Sequence, residues 1–151
     1  MSWRTAFEKL AAISVTGVAT SYDLDGLPGN LPAADLPALV PTFPARVGAG
    51  ADEGAGLSAL TYDGAAWTSA LHVDHVLYWT PAWSGAGLSA VLPDLVTAID
   101  SYLDAVGADG TLDGALDREL EIMSVEPGLV EYGGVRFYGV RFRHRWVRVI
   151  A

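Results

Sequence analysis

Two groups of side chains in this chain could do chemistry. The first is His72-Val-Asp-His75, whose imidazoles and carboxylate are the ligand types of a zinc or iron centre. On a β-strand, however, His72 and Asp74 point to one face and His75 to the other, so at most two of the three converge. One further imidazole exists, His144. Satisfied sheet histidines are therefore expected, with no metal and no other cofactor. The second group is a ladder of arginines. Arg141, Arg143 and Arg145 fall on one face of a strand at intervals of roughly 6.6 Å, opposed by Val140, Phe142, His144 and Trp146. Such spacing suits a phosphate backbone, carboxylates on a neighbouring strand or subunit, or a solvated face. In a chain with eighteen acidic residues the carboxylate reading is preferred. Together with Arg136 and Arg148 these arginines form the expected subunit or partner interface.

The ladder stands out because of where the other charges are. Residues 136–151 hold five of the nine basic side chains and none of the eighteen acidic ones. A net charge of −9 argues against the whole chain binding nucleic acid electrostatically, since Lys and Arg supply most of that affinity. A subunit so polarised could instead meet copies of itself through opposite charges. Arg outnumbers Lys eight to one, which favours planar, paired contacts with carboxylates, although biased genomic composition gives the same ratio.

Other chemical motifs fail on their spacing. The triplet at residues 72–75 is similar to part of the His-x-His-x-Asp-His signature of metallo-β-lactamase-type hydrolases, but Ala70 stands where its first histidine belongs. Asp109-Gly-Thr-Leu-Asp113 suggests a calcium loop, yet aligning Gly110 with the invariant EF-hand glycine puts Ala105, Gly107 and Leu116 at ligand positions. There is no Gly-x-Ser-x-Gly elbow and no phosphate-binding loop. An enzyme is not expected. With no cysteine there are no disulfides or thiolate sites. No apolar run approaches the roughly 18 residues that span a bilayer, and the N-terminus lacks the pattern of a signal peptide.

The elements that must position these groups can be read from periodicity and punctuation. Trp3, Phe7, Leu10 and Ala11 behind Ser2 predict a helix over 3–14. The stretch Asp25–Pro44 is broken by Pro28, Pro32, Pro37, Pro41 and Pro44, and reads as an extended segment laid over a surface. Its Leu27, Leu31, Leu36, Leu39, Val40 and Phe43 are costly to leave in water. Residues 48–56 and 81–87 read as loops. Leu57–Tyr62, Asp63-Gly64 and Trp67–Thr80 predict a hairpin. A second helix carries Leu95, Ile99, Tyr102, Leu103 and Val106 as one stripe, closed by Gly107. Then come a polar turn over 109–114, a strand Glu119–Glu126, a Pro127-Gly128 turn, a short strand to Tyr132, a Gly133-Gly134 turn and the arginine strand. The sum is one α+β domain over 1–151, an antiparallel or mixed sheet packed against two helices, with long extended loops.

Within the last strand the apolar phase slips. Val135 and Phe137 occupy odd positions, whereas Val140, Phe142 and Trp146 occupy even ones. A single packed face then requires one extra residue, so a β-bulge is expected at Tyr138-Gly139.

The order of elements resembles a known family. A first helix, the Leu-Pro-rich segment with Asp35-Leu-Pro-Ala-Leu-Val-Pro41, a long hairpin, the helix Leu92-Pro-Asp-Leu-Val-Thr-Ala-Ile-Asp-Ser-Tyr-Leu103 and the final Tyr132-Gly-Gly-Val-Arg-Phe-Tyr-Gly-Val-Arg-Phe ribbon are together similar to small neck and tail proteins of long-tailed bacteriophages, most of all tail terminators. The likeness is one of pattern over most of the chain. It implies a non-enzymatic subunit of a ring, typically a hexamer, that caps the tail tube, stops its growth and presents a surface to the head connector. The implied partners are further copies, the tube protein and the connector, with DNA only passing through the lumen and no membrane. The implied location is the virion, after assembly in the host cytoplasm. The alternative is a small metal-dependent hydrolase or ligand-binding domain using His72, Asp74 and His75.

Overall fold

The computed structural model describes residues 2–43, 57–83 and 87–150. The loop expected at 48–56, and the part of the next loop at 84–86, lie outside the described residues. In chain order the elements are α1 (Trp3–Ala12), β1 (Thr20–Ser21), β2 (Ala38–Thr42), β3 (Leu57–Tyr62), β4 (Trp67–Pro81), α2 (Leu88–Gly107), β5 (Glu121–Tyr132) and β6 (Val135–Ile150). The strands make one sheet in the order β1-β2-β4-β6-β5, with β3 beside the first half of β4. Among the described pairings only β1 and β2 run parallel. The α+β architecture with a mixed sheet and two helices is as the sequence implies.

Local chemistry explains most of the boundaries. The Ser2 hydroxyl accepts the Thr5 N–H at 3.1 Å and starts α1, which buries Ala6, Phe7 and Leu10. Ile13 is already extended and ends the helix short of residue 14. Helix α2 starts four residues before Leu92 and buries Val91, Leu95, Ala98, Tyr102 and Val106. Leu103 was expected on the inward stripe but is 37 % exposed, because the 3.6-residue period carries Tyr102 to the inner side. The β5–β6 turn uses Gly133 and Gly134 at φ +58° and +81°, angles that a two-residue hairpin of this kind demands.

Three expectations need correction. The Pro/Leu segment is not merely draped over a surface. It folds through two short 3-10 turns, Leu24–Gly26 and Ala33–Asp35, and then enters the sheet as β2, where Ala38 to Pro41 are buried. Pro41 is tolerated because β1 pairs only with Ala38 and Leu39, so beyond Leu39 the outer side of β2 has no ladder for a missing N–H to break. Pro127-Gly128 is not a turn either. Both residues sit inside β5, opposite Val140 and Gly139, because β5 is an edge strand and Gly128 takes up the kink at φ +151°.

The third correction concerns Gly139. Pairing between β5 and β6 runs straight through it, and the extra residue lies in β4, between Tyr78 and Thr80. No phase correction is needed, because both faces of the sheet are packed at this end. Phe137 joins Val40, Val76, Tyr78 and Val130 on one face, while Val140 and Phe142 join Leu77 and Leu95 under α2 on the other. Gly139 is still required, for a different reason. A Cβ there would lie 2.0 Å from the Leu77 carbonyl oxygen and 2.8 Å from Val130 Cγ2.

The sheet thus has a helix face and an arginine face. On the first, α1 covers Leu71, Val73 and Trp146 and α2 covers Leu77, Val140 and Phe142. On the second, Tyr22, Leu31 and Leu36 cap the small cluster around Phe137. Beyond that cap the arginines begin.

Candidate functional site

Alternation along β4 divides the histidine cluster as strand geometry demands. Asp74 turns to the arginine face, where it meets Arg143. His75 lies behind the sheet, bonded to Tyr102 of α2. Among the described residues no three His, Asp or Glu side chains stand close enough to hold a metal ion. Nor is any described helix long and apolar enough to cross a membrane.

What His75 joins instead is a buried chain of hydrogen bonds that links β4, α2 and β6. Trp146 Nε1 lies 3.2 Å from His144 Nδ1, His144 Nε2 lies 2.7 Å from Tyr102 Oη, and Tyr102 Oη lies 2.7 Å from His75 Nδ1. The indole N–H can only donate, and that fixes every proton in the chain. His144 accepts at Nδ1, so its own proton is on Nε2 and goes to Tyr102. The phenol then donates to His75 Nδ1, which leaves the His75 proton on Nε2. That Nε2–H has no partner among the described residues. Burial holds both imidazoles neutral, pushing His144 down to about 3 and His75 well below its ordinary value, with His144 adding to the effect on His75. Burial also raises the Tyr102 phenol well above its ordinary value. Tyr102 further stacks on Phe142 with ring centroids 3.7 Å apart. The chain is sealed from solvent, so its role is to fix α2 on the sheet. Sequence reasoning placed these residues on apolar faces but missed the chain. The signal was available: two histidines at core-facing strand positions must find buried partners.

On the arginine face the expected carboxylates are present, on neighbouring strands of the same subunit. Asp74 lies directly across from Arg143 and is 3 % exposed. Arg143 grips it with two prongs, Nε to Oδ1 at 3.0 Å and Nη2 to Oδ2 at 3.4 Å. Arg145 Nη1 reaches Glu121 of β5 at 3.5 Å. Arg141 is held more loosely. Its Nε is 3.7 Å from Asp74 Oδ2 and its Nη1 is 3.6 Å from Glu126 Oε2, both beyond hydrogen-bond length. The remaining two arginines stand apart from this group. Arg148 places its guanidinium 5.1 Å from the Trp3 ring of α1, and Arg136 is exposed opposite Glu131.

Arg141, Arg143 and Asp74 form part of the lining of a cleft of about 530 Å³. Its other walls include Leu27, Val40, Phe43, Val76, Tyr78, Val130 and Tyr132. Three phenols fix this frame. Tyr132 donates to the Pro28 carbonyl, Tyr22 donates to Asp35 at 2.5 Å, and Tyr78 donates to the Glu131 carbonyl at 3.2 Å. Burial pushes Tyr78 up to about 12, and burial together with the Asp35 bond does the same for Tyr22, so both remain donors at neutral pH. The Pro/Leu segment therefore supplies one lip of the cleft and the arginine strand much of its polar lining.

No protein-family model matches this chain, and no curated protein matches it.

Proposed function

We propose that this protein is a structural subunit of a bacteriophage tail or neck, and that it forms a ring, of six copies by the resemblance, which caps the tail tube, stops its polymerisation and joins it to the head connector. One observation carries the assembly part of this reading. Among the described residues, two chemically different surfaces on opposite sides of the sheet stand uncovered. One is the arginine-lined cleft. The other is the outer shoulder of α2, where Leu88, Leu92, Val96 and Leu103 are each more than a third exposed. Two unlike patches on opposite sides of a subunit support head-to-tail contacts, which close into a ring when the rotation allows. The tail-terminator role and the virion location come from the order of elements alone. The hydrolase alternative has less to stand on, since His75 faces α2 and is fully occupied at Nδ1 by Tyr102.

The test is mass and shape in solution. Light scattering and negative-stain imaging, with and without the tail-tube protein of the same virus, should show closed rings. A chain that stays monomeric at high concentration in both settings would sink the reading.

A further inference from the structure

The two unfilled surfaces match each other in detail. Helix α2 contains Asp94, Asp100 and Asp104 and no basic residue. All three aspartates are exposed, and no ion pair to any of them occurs among the described residues. Asp104 is the least comfortable of them. It lies in the last turn, where the helix dipole disfavours a negative charge and no cation offsets it. Asp100 and Asp104 are one turn apart, and the exposed Leu103 lies beside them. The shoulder therefore presents carboxylates and an apolar side chain together.

The cleft presents a local counterpart: Asp74 and Glu131 in its lining balance Arg141 and Arg143, so what can attract a carboxylate is Arg141 itself. Leu27 and Phe43, both close to half exposed, form apolar lips, and Arg141 lies within. Arg141 is the cation there with most to gain. Asp74 is already taken by Arg143, and Glu126 is half exposed and can turn to water when a better-placed carboxylate arrives. A space of about 530 Å³ is the size that accepts a drug-like molecule, hence a few side chains projecting from a helix and not the helix itself.

We infer that the cleft takes side chains projecting from the C-terminal half of α2 of a second copy of this chain, with Asp104 pairing to Arg141 and Leu103 between Leu27 and Phe43. This rests on the ring reading above and names its interface. What favours a second copy is local: α2 offers exposed carboxylates with no ion pair among the described residues, the cleft offers the loosely held Arg141, and salt screens the long-range repulsion between two chains of net charge −9. Because the helix and the cleft lie on opposite faces, each subunit offers one of each to its neighbours.

Charge exchange tests the pairing. Arg141→Glu and Asp104→Arg should each reduce the assembled fraction at least tenfold at a fixed concentration, measured by sedimentation velocity, while thermal unfolding of the monomer stays near wild type. The double variant Arg141→Glu/Asp104→Arg should restore assembly, because each interface then regains an opposite pair. Arg141→Gln gives a milder loss and guards against a folding defect in the reversal. Wild-type rings that form equally well in both single variants would overturn the pairing and leave the ring reading intact. A double variant that stays as defective as the singles would also overturn it. Open chains or dimers that obey the charge exchange would support the pairing and refute the ring. A wild type that never self-associates would refute both.

Discussion

The two faces of the β4–β6 ladder solve the same problem in opposite ways. Each must hold polar groups within a sheet whose centre is closed to water. On the helix face the groups are kept neutral, and one donor-only indole sets the direction of every bond from Trp146 to His75. On the arginine face the groups stay charged, and cross-strand carboxylates compensate them. A neutral chain in a dry core is rigid and insensitive to salt, whereas ion pairs at a half-open surface are adjustable and screened. Difference in chemistry thus separates the two faces, one holding the fold and the other carrying the proposed partner contact.

The strongest way to break the comparison is at the ladder both faces share. Gly139→Val places a branched side chain against the Leu77 carbonyl, and a clash with backbone cannot be relieved by a rotamer change. Loss of the folded state in circular dichroism is expected, or at minimum a destabilisation of about 4 kcal/mol. Next in size is Arg143→Ala, which among the described residues leaves the buried Asp74 carboxylate with the loose Arg141 contact. Because Arg143 is itself partly exposed, the cost should be about 2–3 kcal/mol in urea unfolding, below the full value for a deeply buried pair.

On the helix face, Tyr102→Phe removes the acceptor for His144 and the donor for His75 at once, and should cost about 1–3 kcal/mol without salt dependence. The same face predicts a pH response. Both imidazoles titrate lower in the folded chain than in the unfolded one, where the ordinary value is about 6.5. Below that pH the unfolded chain binds protons that the folded chain refuses. Stability should therefore be full above about pH 6.5 and fall as the pH drops toward about 3, the value for His144. A urea midpoint that stayed flat from pH 7 to 4 would contradict the neutral chain. The smallest effect belongs to Arg145→Ala, whose Glu121 partner is exposed. Less than about 1 kcal/mol is expected, vanishing at high salt.

How much of this was legible in the sequence depended on whether a residue's role was local. The Ser2 cap, the Gly133-Gly134 turn, the long hairpin and the alternation that split His72 and Asp74 from His75 are local rules, and each holds. The failures required knowledge of neighbours. Pro127 looks like a breaker until β5 is known to be an edge, and β2 hides among prolines until the β1 pairing is seen to end at Leu39. The slip at Phe137 looks like a bulge only if a single packed face is assumed, and the cluster capped by Tyr22, Leu31 and Leu36 is what removes that assumption. The cleft was partly visible. Its arginines could be named from alternation, but its lips, Leu27 and Phe43, come from a distant segment near the start of the chain.

Pro127 also bears on how this chain behaves before it finds its place. Strand β5 is a twelve-residue outer edge, long enough to recruit stray strands from other molecules and seed fibrous aggregates. A proline at its centre, an irregular pairing around Met123 and glutamates at Glu121, Glu126 and Glu131 all blunt that edge. Newly made copies are therefore guarded against zipping together along β5.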